Sequence, residues 1–167
     1  LEGVRRQLNQ PTKHERNPVL VKDKPWEEDA PGYGTVHYDP KAKLFKMWYQ
    51  TWKKVPEGSR SEGELCLATS RDGVTWAKPI INKQGKTNRV KGPKVTGFQC
   101  AGIFRDPVEK DPARRYKMLF SCAPDGTVKT WMTSVGFSPD GIQWTAAKKL
   151  PLIPFSDTQI CPFWDHR

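Results

Sequence analysis

Thr35-Val-His-Tyr-Asp-Pro40, Leu44-Phe-Lys-Met-Trp-Tyr49 and Leu65-Cys-Leu-Ala-Thr-Ser-Arg-Asp-Gly-Val-Thr-Trp76 form a pattern that the chain writes twice. The second copy is Gly102-Ile-Phe-Arg-Asp-Pro107, Arg115-Tyr-Lys-Met-Leu-Phe120 and Thr133-Ser-Val-Gly-Phe-Ser-Pro-Asp-Gly-Ile-Gln-Trp144. Asp39 recurs as Asp106, Met47 as Met118 and Asp72 as Asp140, and Glu109-Lys-Asp-Pro112 widens the second copy. A third copy opens at Cys161-Pro-Phe-Trp-Asp165. A unit of this length, repeated with turns at fixed places, is the sequence sign of a modular β architecture.

Each unit reads as a small antiparallel sheet. Phe45, Met47 and Tyr49 alternate with Lys46, Trp48 and Gln50, and Tyr116, Met118 and Phe120 repeat the alternation; period two is the mark of a strand. The Asp-Pro before each run suits a hairpin turn, because Pro presets φ and lacks an N–H for the ladder. A third strand follows, over 64–69 in one unit and 127–137 in the other. Ser-x-Asp-Gly then turns the chain, with Gly taking positive φ and Asp accepting turn N–H groups. A fourth strand carries Trp76 or Trp144 to pack over the corner. Four strands per repeated unit match one propeller blade, so the fold class expected is all-β, a β-propeller fragment.

The 167 residues hold about two and a half such blades. Propellers close with four or more, so the chain reads as part of a longer protein. Residues 1–25 are polar and basic, an extended lead-in in which Asn17-Pro-Val-Leu-Val21 is a candidate closing strand. Blade one spans 26–79, an inter-blade connection 80–97, blade two 98–149, and the start of blade three 150–167. No segment shows sustained helical periodicity.

Net charge is +10, with a pI near 9.6. A basic balance suits nucleic acid, an anionic polysaccharide or an acidic surface. Here the Lys and Arg residues are scattered over turns and solvent faces, and no nucleic-acid-binding motif accompanies them, so nucleic acid is not an expected partner. Cys66, Cys100, Cys122 and Cys161 include no Cys-x-x-Cys pair, which argues against zinc. They allow three disulfide connectivities, or buried free thiols at Cys66 and Cys122 on predicted strands. No stretch is long and apolar enough for a membrane helix, and no membrane partner is expected. His14, His37 and His166 are too dispersed for a metal site, and the residues require no metal or organic cofactor.

In a propeller the first strand of each blade lines the axis, so strand ends from different blades gather around one substrate. Two carboxylates converging there would suit glycosidic bond cleavage, one as nucleophile or base and one as acid. Asp29 lies ten residues before Asp39, and Asp157 lies eight before Asp165, both where first strands begin. Trp26 offers an aromatic plane for the C–H face of a sugar, against a packing role, and Gln159 is the second substrate-binding candidate.

The two Ser-x-Asp-Gly-x-x-Trp turns, Phe45-Lys-Met-Trp-Tyr49 and Phe104-Arg-Asp-Pro107 resemble the five-bladed propeller glycoside hydrolases of the invertase, levanase and arabinanase type and the related mannoside phosphorylases. In Trp26-Glu-Glu-Asp-Ala-Pro-Gly32 the Trp, Asp and Gly fall at the offsets of the invertase nucleophile motif, so the resemblance implies Asp29 as nucleophile. Arg105-Asp106-Pro107 matches the motif of the carboxylate that stabilises the transition state, implying Asp106. That family's acid lies in Glu-Cys-Pro, and Ile160-Cys161-Pro162 lacks the Glu. The internal repeat offers a competing role for Asp106: an Asp recurring in every unit, as Asp39 and Asp165 do, is a hairpin turn residue. The resemblance implies a carbohydrate-active protein outside the cytoplasm, extracellular or periplasmic, with an oligo- or polysaccharide partner. One alternative is a non-catalytic carbohydrate-binding or scaffold propeller without the acid. The other is a sialidase-like propeller, whose turns carry one more residue between Asp and Gly.

Overall fold

The computed structural model describes residues 3–29, 31–53, 63–123, 131–146 and 158–165. Its regular structure is all-β apart from one 3-10 turn at Pro112–Arg114. Strands β1 (Gly32–Asp39), β2 (Leu44–Trp52) and β3 (Gly63–Ser70) form one antiparallel sheet in that order. Strands β4 (Gln99–Arg105), β5 (Tyr116–Cys122), β6 (Met132–Ser138) and β7 (Thr145–Ala146) form the second. The two sheets repeat one another in register. Asp39 pairs with Leu44 and Phe45 with Ser70 in the first, while Arg105 pairs with Tyr116 and Tyr116 with Ser138 in the second.

The turns repeat atom for atom. Ser70 Oγ accepts the N–H groups of Asp72 and Gly73, and Asp72 Oδ1 accepts those of Val74 and Thr75. Ser138 and Asp140 do the same for Asp140, Gly141, Ile142 and Gln143. The glycines sit at φ +75° and +78°, a region a side chain disfavours. Each Trp closes its turn, Trp76 and Trp144 donating through Nε1 to the carbonyls of Gly73 and Gly141.

Three expectations are corrected. The first sheet has three strands rather than four: Ala77 makes one bridge to Thr69, and the ladder stops. Pro79 has no N–H to extend it, and the chain leaves through a bridged turn from Asn82 to Thr87. It returns alongside β3, where Leu67 N donates to Asn88 O and Val90 N to Leu65 O. Residues 17–21 form no strand; they are tied down by side chains, with Leu20 packed on Tyr49, Cys66 and Ala68 and Val21 O accepting Lys78 Nζ. Residues 158–165 likewise form no strand. Ile160 N donates to Cys100 O at 3.3 Å, and Pro162, which has no N–H, cannot continue that ladder.

Period two holds in β1, where Thr35, His37 and Asp39 are half-buried while Val36 and Tyr38 are exposed. The far end of β2, Trp48 to Thr51, is buried on both faces. One face meets the lead-in through Leu20, and the other meets the second sheet. The main core lies between the sheets, with Trp48, Leu65 and Leu67 facing Ile103, Met118, Phe120 and Trp144. Trp48 is its keystone, 5.8 Å from the Tyr116 ring and donating to Gly141 O at 2.7 Å. Cys66 and Cys122 are buried free thiols within these layers.

All three strands of the first sheet meet β4. Strands β1 and β4 run in the same direction: Cys100 N meets Gln50, the partner of Gly32, while Ile103 meets Thr35 and His37 further along. Residues 158–161 lie against both, Gln159 Nε2 donating to Gly34 O, Thr35 Oγ1 and Ala101 O. The outer edges are joined where Lys91 N donates to Ile142 O and Trp144 N to Lys91 O.

Candidate functional site

Where β1 begins, the lead-in segment and the end of β2 enclose an open cleft of about 840 Å³. Lys22, Lys24, Glu28, Asp29, Trp52 and Lys53 line it. Asp29 and Glu28 are exposed there, the Asp29 carbonyl accepting from Thr51 Oγ1 at 3.3 Å. Tyr33 packs edge-on against Trp52 at 6.1 Å, which fixes the aromatic side of the cleft.

The residue that holds this segment in place is Glu27, which by sequence alone reads as a solvated neighbour of Asp29. It is fully buried. One carboxylate oxygen accepts Tyr49 Oη at 2.5 Å. The other accepts the N–H groups of Asp23 and Lys24 and Lys78 Nζ at 2.7 Å. Lys78 is itself only 4% exposed and also donates to Asp23 and to Val21 O. Asn88 bonds Tyr49 Oη and Leu67 O through its amide nitrogen. Its oxygen accepts Trp26 Nε1 at 2.8 Å. Burial pushes the Glu27 carboxyl up, but Lys78, Tyr49 and the Asp23 N–H outweigh it and hold it below the ordinary range. Burial pushes the Tyr49 hydroxyl far up, with the Glu27 carboxylate adding to it. The ordinary alternation of the sequence hides this cluster; the only hint is a Tyr, a Lys and an Asn at positions with no periodic role.

Trp26 is thus half-buried and anchored through its indole N–H rather than presented as a free stacking plane. Trp52, at the cleft wall, has that position instead. The Gln159 amide nitrogen is engaged by the backbones of β1 and β4 and by Thr35, so it ties the third repeat to the first two. Asp157 lies outside the described residues.

Asp106 stands at the other end. It caps the β4–β5 hairpin, accepting Val108 N and pairing with Lys117 Nζ at 2.5 Å. Asp39 does the same in the first sheet, accepting Lys41 N and Ala42 N and pairing with Lys46 at 2.8 Å. Lys117 holds the Asp106 carboxyl below the ordinary range, as Lys46 holds that of Asp39. Because β1 and β4 run the same way, Asp29 and Asp106 are separated by roughly a strand length, about 20 Å at about 3.3 Å per residue. Paired glycosidase carboxylates stand about 5–10 Å apart. The structure therefore does not bring Asp29 and Asp106 to one site. Among the described residues no three His, Cys, Asp or Glu side chains gather where a metal could be held.

No family description and no curated protein matches the chain. Solved structures share its fold. An N-acetylgalactosamine deacetylase from F. plautii, in complex with blood group B trisaccharide, is 17% identical with a TM-score of 0.51, over 72% of this protein and 30% of that one. A BT0996 complex with RGII is 22% identical with a TM-score of 0.56, over 82% and 38%. A structure described as a glycoside hydrolase is 21% identical with a TM-score of 0.54, over 87% and 39%. The chain spans between 30% and 39% of these structures, so the likeness is one of fold over part of their length.

Proposed function

We propose that the chain is part of a β-propeller of the five-bladed glycoside hydrolase type, and that it acts on a carbohydrate at the end where its first strands begin. The observation that carries this reading is the convergence of three repeats: β1 and β4 run side by side in the same direction, and Gln159 of the third repeat bonds both. Their starting ends adjoin a cleft with an exposed carboxylate, Asp29, and an aromatic wall, Trp52. Fold likeness to carbohydrate-active proteins supports the substrate class, though a fold alone does not assign a reaction. In this reading Asp29 is the nucleophile or base, and Asp157 is the second carboxylate. Asp106 serves the hairpin and leaves the catalytic pair. An oligo- or polysaccharide is the partner, met outside the cytoplasm.

The second reading is a non-catalytic carbohydrate-binding propeller. Asp23, Glu27, Asp39, Asp72, Asp106 and Glu109 are all held below the ordinary carboxylate range by N–H, hydroxyl or Lys donors. A general acid needs the opposite shift. Assaying a panel of fructosides, arabinosides and mannosides separates the readings. Hydrolysis abolished by Asp29→Asn, but retained in Asp106→Asn with a lowered melting temperature, is the expected result. Hydrolysis unchanged in Asp29→Asn overturns the assignment, and binding without turnover favours the second reading.

A further inference from the structure

At the hairpin end of the sheets, away from the Asp29 cleft, a groove of about 420 Å³ lies between them. Its walls bring Tyr38 and Lys41 of the first sheet together with Arg105 and Arg115 of the second. The acids beside it are already engaged. Asp39 accepts Lys41 N, Ala42 N and Lys46 Nζ, and Asp140 accepts Ser138 Oγ, Ile142 N and Gln143 N. Among the described residues, the guanidinium groups of Arg105 and Arg115 and the Lys41 ammonium have no hydrogen-bonding or ionic partner. Arg114 and Lys117 close by are different: Arg114 lies over the Phe137 ring, and Lys117 pairs with Asp106 and Glu109.

Three uncompensated cations around a concave site concentrate positive potential, and guanidinium forks match planar oxyanions in bidentate geometry. The half-exposed Tyr38 ring supplies an apolar plane beside them. The size falls within the range of about 300–1,000 Å³ for small-molecule sites. We infer that this groove binds a monosaccharide-sized anion, a pyranose bearing a carboxylate or phosphate group. The oxyanion is held by Arg105 and Arg115, and the ring lies against Tyr38. The site is separate from the Asp29 cleft and does not rest on the reading of that cleft.

The test is titration calorimetry of the whole protein with glucuronate, glucose 6-phosphate and glucose. The expected result is binding of at least one anion at least tenfold tighter than glucose, weakened by added salt. Arg105→Ala and Arg115→Ala, checked for unchanged circular dichroism, each weaken it about tenfold. Lys83→Ala/Lys86→Ala, on the distant 82–87 turn, and Asp29→Asn leave it intact. The tighter of the two anions identifies the group recognised. Glucose binding as tightly as the anions, no binding at millimolar ligand, or an unaltered affinity in both Arg variants overturns the inference. Equal weakening by Lys83→Ala/Lys86→Ala also overturns it, by showing only the general attraction of a basic protein.

Discussion

The two copies of the Ser-x-Asp-Gly turn make an internally controlled experiment: Gly73→Ala against Gly141→Ala. Both glycines lie at positive φ, so Ala costs about 1–2 kcal/mol at either position from backbone strain alone. Around Gly73 an added Cβ meets only the Phe45 ring edge at 3.9 Å, an ordinary contact. Around Gly141 it would stand 2.6 Å from Trp48 Cζ2 and 3.2 Å from Cε2, inside a buried indole that cannot move away. Overpacking of that kind adds about 1–3 kcal/mol. The shift also threatens the 2.7 Å bond from Trp48 Nε1 to Gly141 O. A buried N–H left without its acceptor costs about 1–3 kcal/mol. Gly141→Ala should therefore destabilise by about 3–5 kcal/mol, allowing for partial relaxation, and Gly73→Ala by about 1–2. Urea unfolding monitored by Trp fluorescence measures both. The expected outcome is a much larger fall in midpoint for Gly141→Ala, with the slope little altered. Equal losses, or a larger loss for Gly73→Ala, would refute the role given to Trp48 in docking one sheet on the other.

Other outcomes follow from the buried cluster. Glu27→Ala strands Lys78 with Asp23 alone and Tyr49 Oη without its acceptor, so it should cost about 3–5 kcal/mol by the same unfolding assay. A loss under about 1 kcal/mol would show that Glu27 does not hold the lead-in. The Glu27 carboxyl lies below its ordinary value of 4.5 in the folded state. Its stabilisation is therefore complete above that pH and lost as pH falls through the lowered folded value. Midpoints measured from pH 7 to pH 3 should fall more steeply in the parent than in Glu27→Ala, and parallel curves would contradict the linkage. Burial pushes the Cys66 thiol up to about 12, and Cys100 and Cys122 are also buried, whereas Cys161 is exposed. An aromatic disulfide reagent at pH 8 should modify Cys161 rapidly and the other three only on unfolding; fast labelling of Cys161→Ser would disprove that placement.

Much of this architecture is local chemistry written twice. The alternation of Phe45, Met47 and Tyr49, the Asp39 and Asp106 turns and the paired Ser-x-Asp-Gly turns each form through residues a few positions apart. For that reason the sheets, their order and the hairpin role of Asp106 are open to reading from the residues alone. The failures have a common cause. The missing fourth strand of the first sheet depends on Pro79 and on the return of Asn88 alongside β3, a pairing between distant residues. The strand expected over 17–21 competes with side-chain ties to Lys78 and Leu20 that no local pattern announces.

The candidate site divides the same way. That a Trp, an Asp and turn residues precede the first strand is plain from Trp26 to Gly32, because their positions relative to the repeat are a matter of counting. Which acid is buried and which faces the cleft is settled on folding. Glu27 finds Tyr49, Lys78 and, through Tyr49, Asn88, while the adjacent Glu28 and Asp29 stay at the surface. Repeat number and turn chemistry belong to short-range hydrogen bonding, so the order of residues dictates them without help from distant parts of the chain. The distance between Asp29 and Asp106, the pinning of Trp26 and the groove between Arg105 and Tyr38 depend on how two sheets meet. They arise from packing between segments tens of residues apart, which no short stretch of sequence encodes.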